Sequence, residues 1–176
     1  MSSPIVIRAA SEADAAGIAD VCNRASRVAY ADLVTDDYLE RVIDHFYGTD
    51  RVRREVAPSP GWFGFVVALD GAHVVGVAGT GQSAQHPEAC ELFALYVDPG
   101  AQRRGIGRQL VAHAVATCQA AQARRLDVAV LPGNAPAIRF YEACGFTFAG
   151  ERPIYAPHGQ QGGPEMALVY ERPIEI

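Results

Sequence analysis

Gln102-Arg103-Arg104-Gly105-Ile106-Gly107-Arg108 is the stretch whose reading decides the fold. It follows an apolar, strand-like run, Leu92 to Val97, and the turn Asp98-Pro99-Gly100. Beyond it, Leu110, Val111, Ala114, Val115 and Cys118 recur at helical spacing, so the stretch opens an amphipathic helix. Free N–H groups at a helix start, together with the helix dipole, favour an anion such as a phosphate. Taken alone, the pattern is equally a helix start whose glycines allow tight packing. It is not a dinucleotide fingerprint, because Leu110 stands where the third glycine is needed, and it lacks the Gly-Lys-Ser/Thr of a Walker loop.

Working outward, Trp62 to Leu69 and Val74 to Gly79 flank the turn Asp70-Gly71 and predict a hairpin. Ile5 to Arg8 predicts a first strand. Ser11 predicts the N-cap of a helix carrying Ile18, Val21, Cys22 and Ala25 on one face. A second helix starts near Thr35, carries Tyr38, Leu39, Val42, Ile43 and Phe46 on one face, and ends at Gly48. Downstream, Leu126 to Leu131 predicts a strand, and Asn134-Ala135-Pro136 starts a helix that Gly145 ends. Strands at Phe146 to Phe148 and Met166 to Tyr170 follow, joined across a Gly/Pro/His-rich loop. The order β-α-α-β-β-β-α-β-α-β-β predicts an α/β fold with a mixed sheet, and the 176 residues fit a single domain, 1–176.

Composition removes several function classes. A formal net charge of −5 argues against nucleic-acid binding, which rests on positive charge. No apolar run approaches a membrane span, and Met1-Ser2-Ser3-Pro4 has no signal-peptide layout, so a cytoplasmic protein with no membrane partner is expected. The cysteines Cys22, Cys90, Cys118 and Cys144 have no metal-knuckle or redox-pair spacing; buried, reduced thiols and no metal site are expected.

Gln102-Arg-Arg-Gly-Ile-Gly107 resembles the Gln/Arg-x-x-Gly-x-Gly/Ala signature of the GCN5-related N-acetyltransferase (GNAT) family. Glu91-Leu-Phe-Ala-Leu-Tyr-Val-Asp-Pro99 is similar to that family's fourth strand and turn. Asn134-Ala-Pro-Ala137 and Phe140-Tyr-Glu-Ala-Cys-Gly-Phe146 resemble its second signature. The likeness is close over about residues 90 to 148; from Ile5 to Gly79 only the order of elements agrees. It implies a mainly antiparallel sheet flanked by helices, with the fourth and fifth strands splayed apart. It also implies acetyl-CoA as acetyl donor. The pyrophosphate would meet Gln102, Arg103, Arg104, Gly105, Ile106, Gly107 and Arg108. The peptide-like pantetheine arm would pair with main-chain groups of Leu95, Tyr96 and Val97, in the manner of an added strand, near Asn134 and Ala137.

By the same resemblance Tyr141 is the expected general acid, its hydroxyl near the thioester sulfur. Glu91 is the expected general base: a carboxylate that alternates with Phe93, Leu95 and Val97 on an apolar strand face has its pKa raised towards a useful value. A relay through water is the alternative to Glu91, and a solvated strand-end glutamate the bland one. The expected reaction is acetyl transfer to a primary amine on a small molecule, peptide or protein. Tyr30, Tyr38, His86, Tyr155, His158 and Glu165 are candidate acceptor-side residues. The rival function is a non-catalytic acyl-CoA-binding or sensor module. Exposed strand edges leave a homodimer open.

Overall fold

The computed structural model describes residues 4–175. One seven-stranded sheet runs in the order β1-β2-β3-β4-β5-β7-β6. Its strands are β1 (Ile5–Ala9), β2 (Trp62–Asp70), β3 (His73–Gln82), β4 (Ala89–Val97), β5 (Arg125–Val130), β6 (Thr147–Pro153) and β7 (Met166–Pro173). All neighbours are antiparallel except β4 and β5, which are parallel. The α/β, mainly antiparallel fold expected from the sequence is the fold found.

The helices are α1 (Ala15–Tyr30), α2 (Asp36–Tyr47), α3 (Thr49–Glu55), α4 (Ile106–Ala120) and α5 (Ala135–Ala143). None is long and apolar enough to cross a membrane. Before α1, Ser11 starts a short 3-10 turn in which the Asp14 carboxylate accepts the Ser11 N–H at 2.7 Å. Asp14 also takes both arms of Arg8 from β1, at 2.7 and 3.0 Å. Thr35 caps α2 by accepting the Tyr38 N–H at 3.3 Å.

Two apolar layers sandwich the sheet. On one face Ile18, Val21 and Cys22 of α1 and Val52 of α3 pack on Phe65, Val67, Val77 and Ala94. On the other, Ile106, Leu110, Val111 and Cys118 of α4 pack with Leu92, Leu126, Tyr141 and Phe146. Of the helical stripe residues read from the sequence, Val42, Phe46 and Val115 are half-buried and the others are buried.

Three local features differ from expectation. Gly48 ends α2 but also starts α3, which was not anticipated because Thr49–Glu55 buries only Val52 and so shows no apolar period. Strands β6 and β7 run further than Phe146–Phe148 and Met166–Tyr170, to Pro153 and Pro173. β6 is an edge strand with mostly exposed residues, so the alternation that marks a half-buried strand is absent from it. Finally, β4 carries a bulge: Gly79 faces Ala94 and Thr80 faces Leu92, leaving Phe93 as the extra residue.

Candidate active site

The sheet opens between β4 and β5. Ladder pairing joins Ala89, Cys90 and Glu91 to Arg125, Leu126 and Asp127, and stops there. Beyond it, β4 continues to Val97 on β3 alone and β5 continues to Val130 on β7 alone. Among the described residues, the later half of β4 therefore has one edge with no strand against it. Main-chain N–H and C=O groups on such an edge need partners, and an extended, amide-bearing ligand supplies them. Leu95, Tyr96 and Val97, the expected main-chain contacts, lie on this segment and are half-buried.

The Gln102–Arg108 loop closes the end of that opening. Arg103 and Gly105 both adopt left-handed backbone, at φ 63° and 76°. Left-handed residues interspersed in a turn curl successive N–H groups towards one side, the geometry of an anion nest. Gly105 is the N-cap of α4 and no side chain caps the helix. Its first N–H groups are thus left for a ligand. A Cβ at Gly105 would meet nothing within 4 Å, whereas one at Gly107 would lie 3.0 Å from the Phe140 ring of α5. The two glycines meet different constraints: Gly105 turns an open backbone, and Gly107 permits close packing.

The basic residues divide. Arg103 is exposed and makes no ion pair among the described residues. Arg104 is tied to Asp70 of the β2–β3 turn at 2.7 Å. Arg108 donates to the Ala143 carbonyl at 3.3 Å, reaching the end of α5. Gln102 is exposed, and Ile106 faces inward, 1% exposed, so only its main chain can meet a ligand.

On α5, Asn134 Oδ1 accepts the Ala137 N–H at 3.3 Å. That uses the amide oxygen as a cap and leaves the amide nitrogen to donate elsewhere; Ala137 offers only its methyl group and carbonyl. Tyr141 is buried, with its ring edge-on to Phe140 and Phe146. Its hydroxyl has no hydrogen-bond partner among the described residues. Burial, reinforced by Tyr30 and Cys144, pushes that hydroxyl well above the usual tyrosine value.

Glu91 does not share a face with Leu95 and Val97 as the alternation predicts. The bulge at Phe93 shifts the phase, so Leu92, Leu95 and Val97 face α4, while Ala94 and Tyr96 face α1. Glu91, next to Leu92, points with Ala94 and Tyr96. Nor is it a lone carboxylate beside apolar walls: it is 4% exposed and held by both arms of Arg152 from β6.

The same face gathers residues that sequence reasoning passed over. The Tyr47 hydroxyl donates to Tyr96 Oη at 3.2 Å, and Tyr30 Oη lies 3.4 Å from it. Burial raises all three hydroxyls well above the ordinary value, so they stay neutral. Tyr30 was expected at the acceptor side; Tyr47 and the side chain of Tyr96 carried no sequence signal, since their juxtaposition depends on the bulge. The 154–165 loop packs on α2. Tyr38 and His158 rings sit 5.2 Å apart, Phe46 is 6.4 Å from Tyr155, and a Cβ at Gly163 would run into the Tyr38 ring. Burial, His45 and Arg41 hold His158 below the usual histidine value. His86 and Glu165 contribute main-chain turns, to Ser83 and Ile154, rather than joining this cluster.

The model of the acetyltransferase (GNAT) family matches residues 27–146. A ribosomal protein bS18-alanine N-acetyltransferase from Salmonella typhimurium is 39% identical over 85 residues, covering 48% of this chain and 56% of that protein. A mycothiol acetyltransferase from Beutenbergia cavernae is 42% identical over 74 residues, covering 42% of this chain and 23% of that protein. The chain thus spans about half, or less, of the length of the curated relatives it matches. Among solved structures, a PaiA N-acetyltransferase from Thermoplasma acidophilum in complex with coenzyme A superposes with a TM-score of 0.80 at 20% identity, covering 97% of this chain and 99% of that one.

Proposed function

The chain belongs to the GNAT acetyltransferase family, and from that premise we propose that it transfers an acetyl group from acetyl-CoA to a primary amine. The observation that carries the reading is the open edge of β4 leading into an uncapped α4: a peptide-like slot that ends at an anion nest. Those two features fit the amide-bearing arm and the pyrophosphate of coenzyme A in the order in which they occur along that molecule. Bound there, acetyl-CoA supplies the acetyl group as a thioester. N–H groups of residues 105–108 hold phosphate oxygens, helped by the Arg103 and Arg108 guanidinium groups. Leu95, Tyr96 and Val97 hold the arm by main-chain hydrogen bonds, and the Asn134 amide nitrogen donates to it. An N–H on this segment polarises the carbonyl under attack.

Tyr141 is the acid. Its proton stays on Oη across the neutral range, which an acid requires. A hydroxyl raised above the thiol range is a weaker acid than the group it serves. It therefore acts by donating a hydrogen bond to the departing sulfur before the proton moves. Glu91 is the base, facing the α1 side where the acceptor enters. An α-amine with a pKa of about 7.7–8 costs only about 1 kcal/mol to deprotonate at neutral pH, against about 4–5 kcal/mol for a lysine. This favours a protein or peptide α-amine, in keeping with the alanine that the Salmonella relative's name gives as its target. A second copy would pair through β1 or β6, the two edges of the open sheet.

The test is acetyl-CoA consumption against a mixed library of peptides and small amines, read by mass spectrometry, with Tyr141→Phe run in parallel. Acetylated products are expected, with kcat at least tenfold lower in Tyr141→Phe and acetyl-CoA affinity unchanged. Cofactor binding with no product across the library would make the chain an acyl-CoA sensor. Equal kcat in the variant would remove Tyr141 from the chemistry.

A further inference from the structure

Arg152 stands near the end of β6, one residue before the chain leaves the sheet for the 154–165 loop. Its side chain reaches back to β4 and closes on Glu91: NH1 donates to Oε2 at 3.1 Å, and NH2 donates to Oε1 in a second contact. The Arg152 side chain is 24% exposed and that of Glu91 5%. The pair is thus shielded from water on the carboxylate side, where removing one partner strands a charge. Two parallel N–H···O bonds also fix the plane of the carboxylate, as a single lysine contact would not.

The other groups around Glu91 do not substitute for Arg152. On β5, Asp127 is its register partner and a like charge, but both Asp127 oxygens are taken by Arg125, which also reaches Glu171 on β7. On β3 the partner is Gly81. On the α1 and α2 side, Tyr30 and Tyr47 meet Tyr96 as neutral hydroxyls. Among the described residues, Arg152 is the cation paired with Glu91.

The geometry points to Arg152 as a positioning residue for acetyl transfer: its two-armed contact fixes the plane of the Glu91 carboxylate and aims it at the acceptor's proton. This rests on Glu91 being the base. The acceptor nitrogen gives its proton to Glu91 Oε and keeps the electron pair that forms the C–N bond. The C–S bond breaks with its electrons going to sulfur, and Glu91 passes the proton on to water.

The experiment is steady-state kinetics at a single pH for the wild type, Arg152→Met, Arg152→Lys, Glu91→Gln and the double variant Glu91→Gln/Arg152→Met, with an acceptor drawn from the library and coenzyme A affinity measured alongside. Arg152→Met should lower kcat at least tenfold while acceptor KM and coenzyme A affinity stay within about twofold of wild type. Arg152→Lys should recover part of the loss, because charge is retained and the fork is lost. In the Glu91→Gln background Arg152→Met should lower kcat by less than about twofold more, since no carboxylate is left to aim. A purely structural role would weaken coenzyme A binding and raise KM together and would add to the Glu91→Gln loss, which overturns the inference. If Glu91→Gln lowers kcat while both arginine variants keep the wild-type rate, Arg152 has no such role although Glu91 is the base. If Glu91→Gln leaves kcat unchanged, the base assignment falls and the inference with it. Should Arg152→Met fail to fold, Arg152→Lys decides: a wild-type kcat overturns the inference.

Discussion

Gly105 and Gly107 lie two positions apart in one signature and answer different constraints. At Gly105 the constraint is the backbone, φ 76° with open space where a Cβ would stand. At Gly107 it is volume, with the Phe140 ring 3.0 Å from that point. A left-handed residue with a Cβ costs roughly 1–2 kcal/mol, less for Asn, which tolerates that region. Gly105→Ala should lose about 1 kcal/mol of stability in urea unfolding and bind coenzyme A more weakly, while Gly105→Asn should recover most of the stability. At Gly107 the order reverses: Ala asks the ring to shift by a few tenths of an ångström, and Asn is worse because it is larger. Equal losses for Ala and Asn at position 105 would refute the conformational account. Residue types in this loop were legible in the sequence, since a Gly-rich helix start has one local geometry. Partners were not. Nothing in Arg103-Arg104 tells which guanidinium is spent, and Asp70, which holds Arg104, is 34 positions upstream.

The junction of β1 with α1 depends on one carboxylate. Asp14 accepts from the Ser11 N–H and from Arg8, and the Arg8 hydrogen bonds in particular hold its pKa down to about 2, from an ordinary 3.8. A group depressed in the folded state adds stability that is fully present above its unfolded pKa and is lost as the pH falls through the folded one. The full shift is worth on the order of 2 kcal/mol, but Arg8 is 42% exposed, so about 1 kcal/mol survives solvent screening. Asp14→Asn should unfold at lower urea concentration than wild type at pH 6, and the gap should close between pH 4 and pH 2. A gap that persisted at pH 2 would assign the effect to the cap hydrogen bond alone. The start of this helix was visible as Ser11 followed by an acid, whereas the bulge in β4 was not. Leu92-Phe93-Ala94-Leu95 reads as an ordinary apolar run. A single extra residue leaves no compositional mark, yet it inverts the face of every side chain beyond it. For that reason the Glu91 side chain was placed on the wrong face and that of Tyr96 not at all, whereas the expected main-chain contacts of Leu95–Val97 do not depend on side-chain phase.

At the scale of the whole molecule, the split between β4 and β5 divides the sheet into a half bearing β1–β4 and a half bearing β5, β7 and β6, and ladder pairing crosses the divide at residues 89–91 alone. The halves are also joined through the apolar layer in which α4 meets Leu126, Val128, Tyr141 and Phe146, by the Glu91–Arg152 pair, and by the 154–165 loop packed on α2. A ligand lying in the split contacts both halves and stabilises the native state by about 2.7 kcal/mol when its concentration is a hundred times its Kd. Amides that exchange only through global unfolding should then slow by about a hundredfold. The open edge makes a sharper forecast possible. Without ligand, the N–H groups of residues 93–97 that face away from β3, and those of residues 103–107, exchange fast because no strand or cap covers them. Adding coenzyme A should protect both segments together, along with the start of α5 at Asn134. Hydrogen exchange read by mass spectrometry separates the alternatives. Protection limited to residues 103–107 would mean that only the phosphates are held and that the slot along β4 is not the binding path. Protection limited to 93–97 would remove the anion nest. Joint protection is what an opening in the sheet that ends at a bare helix start requires.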